Sequence, residues 1–381
     1  MKILFSSIGA HGHTYPLIPL ALAAREAGHD VSFLTTDAFA ATFTAHGIEH
    51  VPGGTGMREA FATLLDGRDP RQAGGIAPEL VSLVFGRVLP RRFAADVASA
   101  IGRSRPDLVV HEVVNPGAGL AAAVAGVPAL CHGFGRMWEE PPLGTGDAVG
   151  HLGEVAGELG VDLPADDAML LGNPYLDVCP PSLQEPGFLA RANRIALRPV
   201  PFADRGDLPA WVAEHREPLV YLTLGTAFGD AGVLRTAVAG LGALDARVLV
   251  ATGPTVEVSA LGEVPANTVL LPWVPQADLL PHVDLVVHHG GSGTTMGSFG
   301  AGVPQLVLPQ GADQFDNADV VTRHGLGARL VGDDLTAEAV TAEARRLLAD
   351  GAVRSAARTV AAEVAAMPSP RDVARTLPEY A

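Results

Sequence analysis

Short apolar runs alternate with stretches whose apolar residues recur every three or four positions, and the alternation begins at Met1 and continues through most of the 381 residues. Compact apolar runs bounded by glycine, proline or charge read as buried strands, and the amphipathic stretches between them as helices, which is the pattern of a doubly wound α/β sheet. In the first half the pattern predicts strands at 2–7, 30–35, 107–111, 127–132 and 175–179, with helices at 16–27, 38–46, 90–103 and 116–125. A second series follows, with strands at 219–224, 247–251, 268–271, 285–288, 305–308 and 328–331 and two helices over 337–366. Between 186 and 218 the chain turns rich in proline and charge, the composition of a connection. The expected organisation is therefore a Rossmann-like domain over 1–198, a linker over 199–217, a second Rossmann-like domain over 218–366, and a tail over 367–381 that folds back across the first half.

Composition narrows the picture. Hydrophobic residues at 48% exclude a disordered chain, and a formal net charge of -16 argues against nucleic acid, whose phosphates require clustered Lys and Arg. Lys2 is the only lysine, which rules out a lysine Schiff base or a Walker-type lysine. Cys131 and Cys179 lie in apolar runs without metal-ligand spacing, so a reducing cytoplasm is the simplest expectation and no metal site is implied. No stretch approaches the roughly 18 apolar residues that span a membrane, and the first apolar run is a strand rather than a secretion signal.

The most informative segment is 284–317, DLVVHHGGSGTTMGSFGAGVPQLVLPQGADQFDN. A buried strand runs into a glycine turn and a helix start, where glycine lets the backbone approach a ligand and the first helical amides carry partial positive charge. Such a turn suits a phosphate or diphosphate. At the carboxyl end of the next strand stand Asp313 and Gln314, a carboxylate and an amide suited to a polyol, and 270–276, LLPWVPQ, offers the flat indole of Trp273 beside Val274 and Gln276. Ligands bind at this edge in open parallel sheets. Platform, anion cradle and polyol pair together suggest a nucleotide-sugar site.

The first half carries a second candidate. His13 follows the first strand in GAHGHTYP, and Pro16 suits a helix's first turn, which would place His13 near a helix N-terminus that keeps its ring neutral, as a general base requires. Glu112 ends a neighbouring strand and could bond one imidazole nitrogen, fixing the tautomer, while Asp107 begins that strand and should lie at the opposite edge.

These residues, in this order, resemble the inverting GT-B glycosyltransferases of family 1 that decorate bacterial natural products with deoxythymidine-diphosphate sugars. The anchors are GHTYPLIPLALAAREAGHDV, PDLVVHE, LTLGTAF, LPWVPQ and VVHHGGSGTT through PQGADQFDNA, and the likeness covers nearly the whole chain. The resemblance implies two Rossmann-like domains facing across a cleft, His13 as the base that deprotonates the acceptor, and Glu112 as its partner. It implies a donor site in which Trp273 or Val274 covers the base near Gln276. There His288 holds the diphosphate with Gly291, Ser292, Gly293, Thr294, Thr226 and Gly12, and Asp313 with Gln314 holds the sugar. The role of His289 is left open.

Met296 stands where plant members carry a ribose-binding glutamate, and a thioether in place of that acceptor favours a thymidine nucleotide. Phe61, Phe85, Phe134, Met137 and Trp138 are the acceptor-side candidates, suited to a hydrophobic aglycone. The implied reaction needs no metal and no cofactor beyond the nucleotide-sugar co-substrate, with neither nucleic acid nor membrane as partner. O- and C-glycosylation, a nucleotide-sugar epimerase, a non-catalytic auxiliary protein and a homodimer all remain open at this stage.

Overall fold

A computed structural model describes residues 1–65, 77–138, 146–204, 206–226 and 229–381. It contains two compact units, one comprising Met1–Cys179, Gln184–Arg198 and Pro368–Ala381, the other Pro180–Leu183 and Pro199–Met367.

The first unit is built on seven parallel strands, β1 (Lys2–Ser6), β2 (Asp30–Thr35), β3 (Glu49–Pro52), β4 (Leu108–Glu112), β5 (Ala129–His132), β6 (Tyr175–Asp177) and β7 (Arg194–Ala196), in the order β3-β2-β1-β4-β5-β6-β7. The chain winds outward from β1 in one direction and then from β4 in the other. Their carboxyl ends therefore diverge at a switch point, where α/β sheets bind ligands. Every residue of β4 is buried, in keeping with a central parallel strand covered on both faces. Phe93, Val97 and Ile101 of helix Leu89–Ser104 pack with Val109, Val113 and Phe61 in the core on one side of it. The two outer strands β3 and β7 were absent from the sequence expectation. EHVP and RIA are three or four residues long and contain charge or proline, so neither presents an apolar run.

Helix 116–125 lies where the pattern placed it, capped at Gly126 by a left-handed turn. The helix expected at 16–27 begins earlier, at His11, and passes through a tight turn over Tyr15–Leu17 before resuming at Ile18–Glu26. Pro16 explains the turn. Lacking an N–H, it cannot close the regular helical bond, and the backbone tightens around it. Within this unit, helix Pro370–Thr376 packs on Ile18–Glu26, with Arg371 and Glu26 paired at 3.0 Å.

The second unit has six parallel strands, β8 (Leu219–Thr223), β9 (Arg247–Ala251), β10 (Thr268–Leu271), β11 (Leu285–His288), β12 (Gln305–Val307) and β13 (Gly327–Arg329), ordered β10-β9-β8-β11-β12-β13. All six fall within two residues or so of their expected positions. Here the switch point lies between β8 and β11. Helices Ala337–Ala349 and Gly351–Ala366 close the unit, the break between them set by Asp350, whose carboxylate caps the amides of Ala352 and Val353. Among the described residues no helix is long and apolar enough to cross a membrane.

Candidate functional site

In the first unit, the loop after β1 is held to the helix that follows it by buried hydroxyls. Ser7 and Thr14 share a hydrogen bond at 2.9 Å, and the Thr14 hydroxyl also donates to the Ile8 carbonyl. This fixes the first turn, His11–Thr14, above the end of the sheet. His13 sits in that turn with its side chain 22% exposed, and its Nδ1 lies 3.1 Å from Oε1 of Glu112, which is completely buried. An ionised carboxylate only accepts, so the His13 proton is on Nδ1 and the Nε2 lone pair is left to take a proton from elsewhere. The same Oε1 accepts from the Val114 amide at 2.9 Å. Asp107, at the other end of the strand, accepts from the backbone amide of Lys2 and takes no part.

Of the acceptor-side candidates, Phe134 stands edge-on to His13 with ring centroids 4.8 Å apart, and Trp138 is 6.2 Å from Phe134. Phe85 is partly buried against the same core. Phe61 and Met137 are each 7% exposed and belong to the core, so they shape the wall from behind rather than line it, which corrects their expected role. A groove of 560 Å³ in this unit, between Leu64, Leu83 and Val88 and the arginines Arg87, Arg91 and Arg92, contains none of the five. Gly12 lies in the same turn as His13, with open space around it.

In the second unit, three glycine-rich segments meet at the carboxyl ends of β8, β9 and β11. Gly225, Gly253 and Gly290 all have positive φ, at 73°, 68° and 91°. A Cβ at Gly253 would strike the Gly225 carbonyl, and one at Gly290 would strike the Gln314 carbonyl and Val307. Helix Ser292–Ala301 starts here, and Gly291 gives it no side-chain cap, so its first amides are presented bare. Thr226 follows Gly225 at the end of β8, half-buried.

His288 does not face this cradle. It is the last residue of the ladder, paired with Thr223 and Val307, and is completely buried. Its Nε2 bonds Gln305 Oε1 at 2.9 Å and its Nδ1 accepts from the Gly290 amide at 3.1 Å. Burial, with neighbouring His289 adding to it, pulls its pKa down to about 3. Both nitrogens are committed inside the fold, so the diphosphate role expected for His288 is corrected. His289 is the first residue beyond the ladder. Its ring abuts Gly225 and Gly291, and neither position would admit a Cβ without striking it. Burial holds it neutral, at about 4, partly offset by a hydrogen bond to the Thr223 backbone, and Nδ1 has no partner among the described residues. The strand end at 288, legible in the pattern, was the signal that the next residue should occupy the edge.

Around this bend the remaining candidates divide. Ser292 donates to Asp313 Oδ2 at 2.7 Å, and Asn317 bridges that carboxylate and the Gly290 carbonyl. Ala312 precedes Asp313 at φ 52°, a strained conformation for a residue with a side chain. Gln314 is 1% exposed, and its amide oxygen accepts from Gln310 and Gly311, so it holds the loop rather than presenting both ends to a ligand. Gly293 is open on its outer side, while Thr294 donates to Gln276 at 3.1 Å. Trp273 is 41% exposed and Val274 3%, so of the two the indole is the exposed one. Met296 is 4% exposed and buried in the core, while Gly297, one residue on, faces Gln276, Leu280 and Pro201. Among the described residues no group of three or more His, Cys, Asp or Glu side chains is gathered as a metal site would require.

Comparisons with known proteins show what the chain as a whole is similar to. Residues 235–380 match the family model described as erythromycin biosynthesis protein CIII-like, C-terminal domain. The chain is 33% identical to the L-demethylnoviosyl transferase of Streptomyces niveus, over 99% of this chain and 97% of that protein. It is 32% identical to the elloramycin glycosyltransferase ElmGT of Streptomyces olivaceus, again over 99% and 97%. The crystal structure of the Streptomyces sp. SF2575 glycosyltransferase SsfS6, complexed with thymidine diphosphate, superposes with a TM-score of 0.80 at 28% identity, covering 100% of this chain and 99% of that one.

Proposed function

Because the chain belongs to the bacterial natural-product glycosyltransferases of the GT-B fold, we propose that it transfers a deoxysugar from a thymidine-diphosphate donor to a hydroxyl of a hydrophobic natural product, with inversion and without a metal. His13 Nε2 takes the acceptor proton as the acceptor oxygen attacks the anomeric carbon. The bond from that carbon to the diphosphate breaks on the opposite face, and the nucleoside diphosphate leaves with the electron pair. As His13 becomes an imidazolium ion, the buried Glu112 carboxylate stabilises it.

The observation that carries this reading is the His13–Glu112 dyad at one sheet's switch point. The glycine cradle at the other supplies the leaving-group site. Negative charge developing on the diphosphate meets the bare amides of Ser292, Gly293 and Thr294, a preorganised positive end that does the work a metal does elsewhere. A diphosphate beside His289 also favours the imidazolium form of that ring, which can then donate to the Thr223 carbonyl and to a phosphate oxygen together.

Thymidine is favoured because helix Ser292–Ala301, SGTTMGSFGA, has no carboxylate to receive a 2′-hydroxyl, and because a related enzyme binds thymidine diphosphate. Isothermal titration should show thymidine diphosphate binding about tenfold or more tightly than uridine diphosphate, the scale of one unsatisfied polar group. Equal affinities, or a preference for uridine, would refute the nucleotide assignment. The activity itself is tested by incubating thymidine-diphosphate deoxysugars with hydrophobic aglycones in excess chelator. Glycosides with the inverted anomeric configuration are expected by mass and NMR. Activity lost to the chelator and restored by a divalent cation would contradict the metal-free reading.

A further inference from the structure

Glu112 and His132 end neighbouring parallel strands. They are register partners in the β4–β5 ladder, so their side chains leave the same face of the sheet, and the Val113 amide donates to the His132 carbonyl at 3.0 Å to hold the strands together at that pair. Both side chains are completely buried. Each has one polar atom engaged and one not. Glu112 Oε1 takes the Val114 amide and the His13 ring, while Oε2 has no partner among the described residues. His132 Nδ1 bonds the Gly133 carbonyl at 2.5 Å. A carbonyl only accepts, so the proton is on Nδ1, and Nε2, also without a partner among the described residues, carries a lone pair.

Two acceptors are thus buried at adjacent positions with no donor to either among the described residues, an arrangement that leaves the desolvation of each atom uncompensated. A donor of two hydrogens placed between them removes both penalties, and water is the smallest such donor. Neighbouring strands lie about 4.8 Å apart, a separation one water can bridge. We propose that a single buried water donates to Glu112 Oε2 and His132 Nε2, making His132 a positioning residue for the His13–Glu112 dyad.

The bridge satisfies Oε2 and turns Oε1 toward His13, which keeps the His13 proton on Nδ1. The chain then continues through Gly133, where the Tyr175 hydroxyl leaves no room for a Cβ, to Phe134 on the ring of His13. One strand end therefore supports the dyad from both sides. The other titratable groups around the carboxylate are Cys131 and Tyr175, which burial pushes toward their neutral forms, and His111, held neutral by burial and bonded to Asn173, so none of them supplies the missing donor charge.

The role for His132 rests on His13 being the base, but the water position and the His13 tautomer are read without substrate and so can fail while glycosyl transfer stands, or hold if transfer is disproved. A high-resolution crystal structure of the wild-type chain should show a water peak within hydrogen-bond distance of both Oε2 and Nε2. Nitrogen-15 spectra of labelled histidine should show His13 in the Nδ1–H tautomer in the wild type and in His132→Gln, whose amide also reaches the water, and a mixture with the Nε2–H form in His132→Phe. In assays, His132→Phe should lower turnover about 10- to 100-fold, the scale on which outer partners of a reactive group act, with nucleotide affinity unchanged. No water at that position, or a His132→Phe protein with wild-type tautomer and turnover, overturns the proposal. If His132→Phe does not fold, the wild-type map and the glutamine variant still decide it.

Discussion

Replacing His13 by alanine is expected to lower turnover by about 10²- to 10⁴-fold, the usual worth of a general base, while thymidine-diphosphate affinity stays within about twofold. The split follows from where the residue sits. His13 is in the first unit, bonded to Glu112 and 22% exposed, while the glycine cradle is built from residues of the second. Its removal deletes the lone pair that accepts the acceptor proton, and the structural cost is small because the ring is already partly exposed. Steady-state kinetics with nucleotide titration measure both quantities. A variant with normal turnover would remove His13 from the mechanism, and one with normal turnover per bound donor but poor donor binding would make it a donor ligand instead.

The second large effect separates two adjacent histidines. His289→Ala should cut turnover by about 10²- to 10³-fold, as losing one oxyanion donor does elsewhere, and weaken thymidine-diphosphate binding, with little loss of stability. His289 lies past the last ladder pair, its Nδ1 unpartnered among the described residues. His288→Ala should do the reverse. It strands Gln305 and the Gly290 amide in the interior, costing about 1–3 kcal/mol for each group left unsatisfied, and should register as a lower urea midpoint before it registers in binding. If His288→Ala abolished nucleotide binding in a protein of wild-type stability while His289→Ala bound normally, the original expectation for His288 would be restored.

Why the pattern pointed to His288 shows what a pattern carries. The apolar runs placed eleven of the thirteen strands, nine of them central, because parallel strands buried on both faces must be apolar, and they placed the glycine bend because only glycine tolerates φ near 91° at Gly290. The dyad was legible too, since parallel strands must bring their carboxyl ends to one edge, and His13 and Glu112 both follow or end such strands. The outer strands β3 and β7 were not, being too short and too polar to stand out from loop.

Side-chain direction is the larger loss. Whether His288 or His289, Met296 or Gly297, points at the ligand depends on a rotation of one residue about a strand or helix, and composition is silent on that. Gln314 is a related case, because an amide that suits a sugar hydroxyl also suits two backbone amides in its own loop, and the loop is nearer. His132 drew no notice because a buried histidine at a strand end looks like core until its unpartnered nitrogen is set beside that of Glu112.

The central claim is that the glycine bend after β11 is the seat of the leaving diphosphate, and a crystal structure of the chain with thymidine diphosphate tests it most directly. The diphosphate should lie within hydrogen-bond distance of the His289 ring and the first amides of helix Ser292–Ala301, with thymine against Trp273. A nucleotide bound elsewhere, or a diphosphate held there without contact to His289, would contradict it.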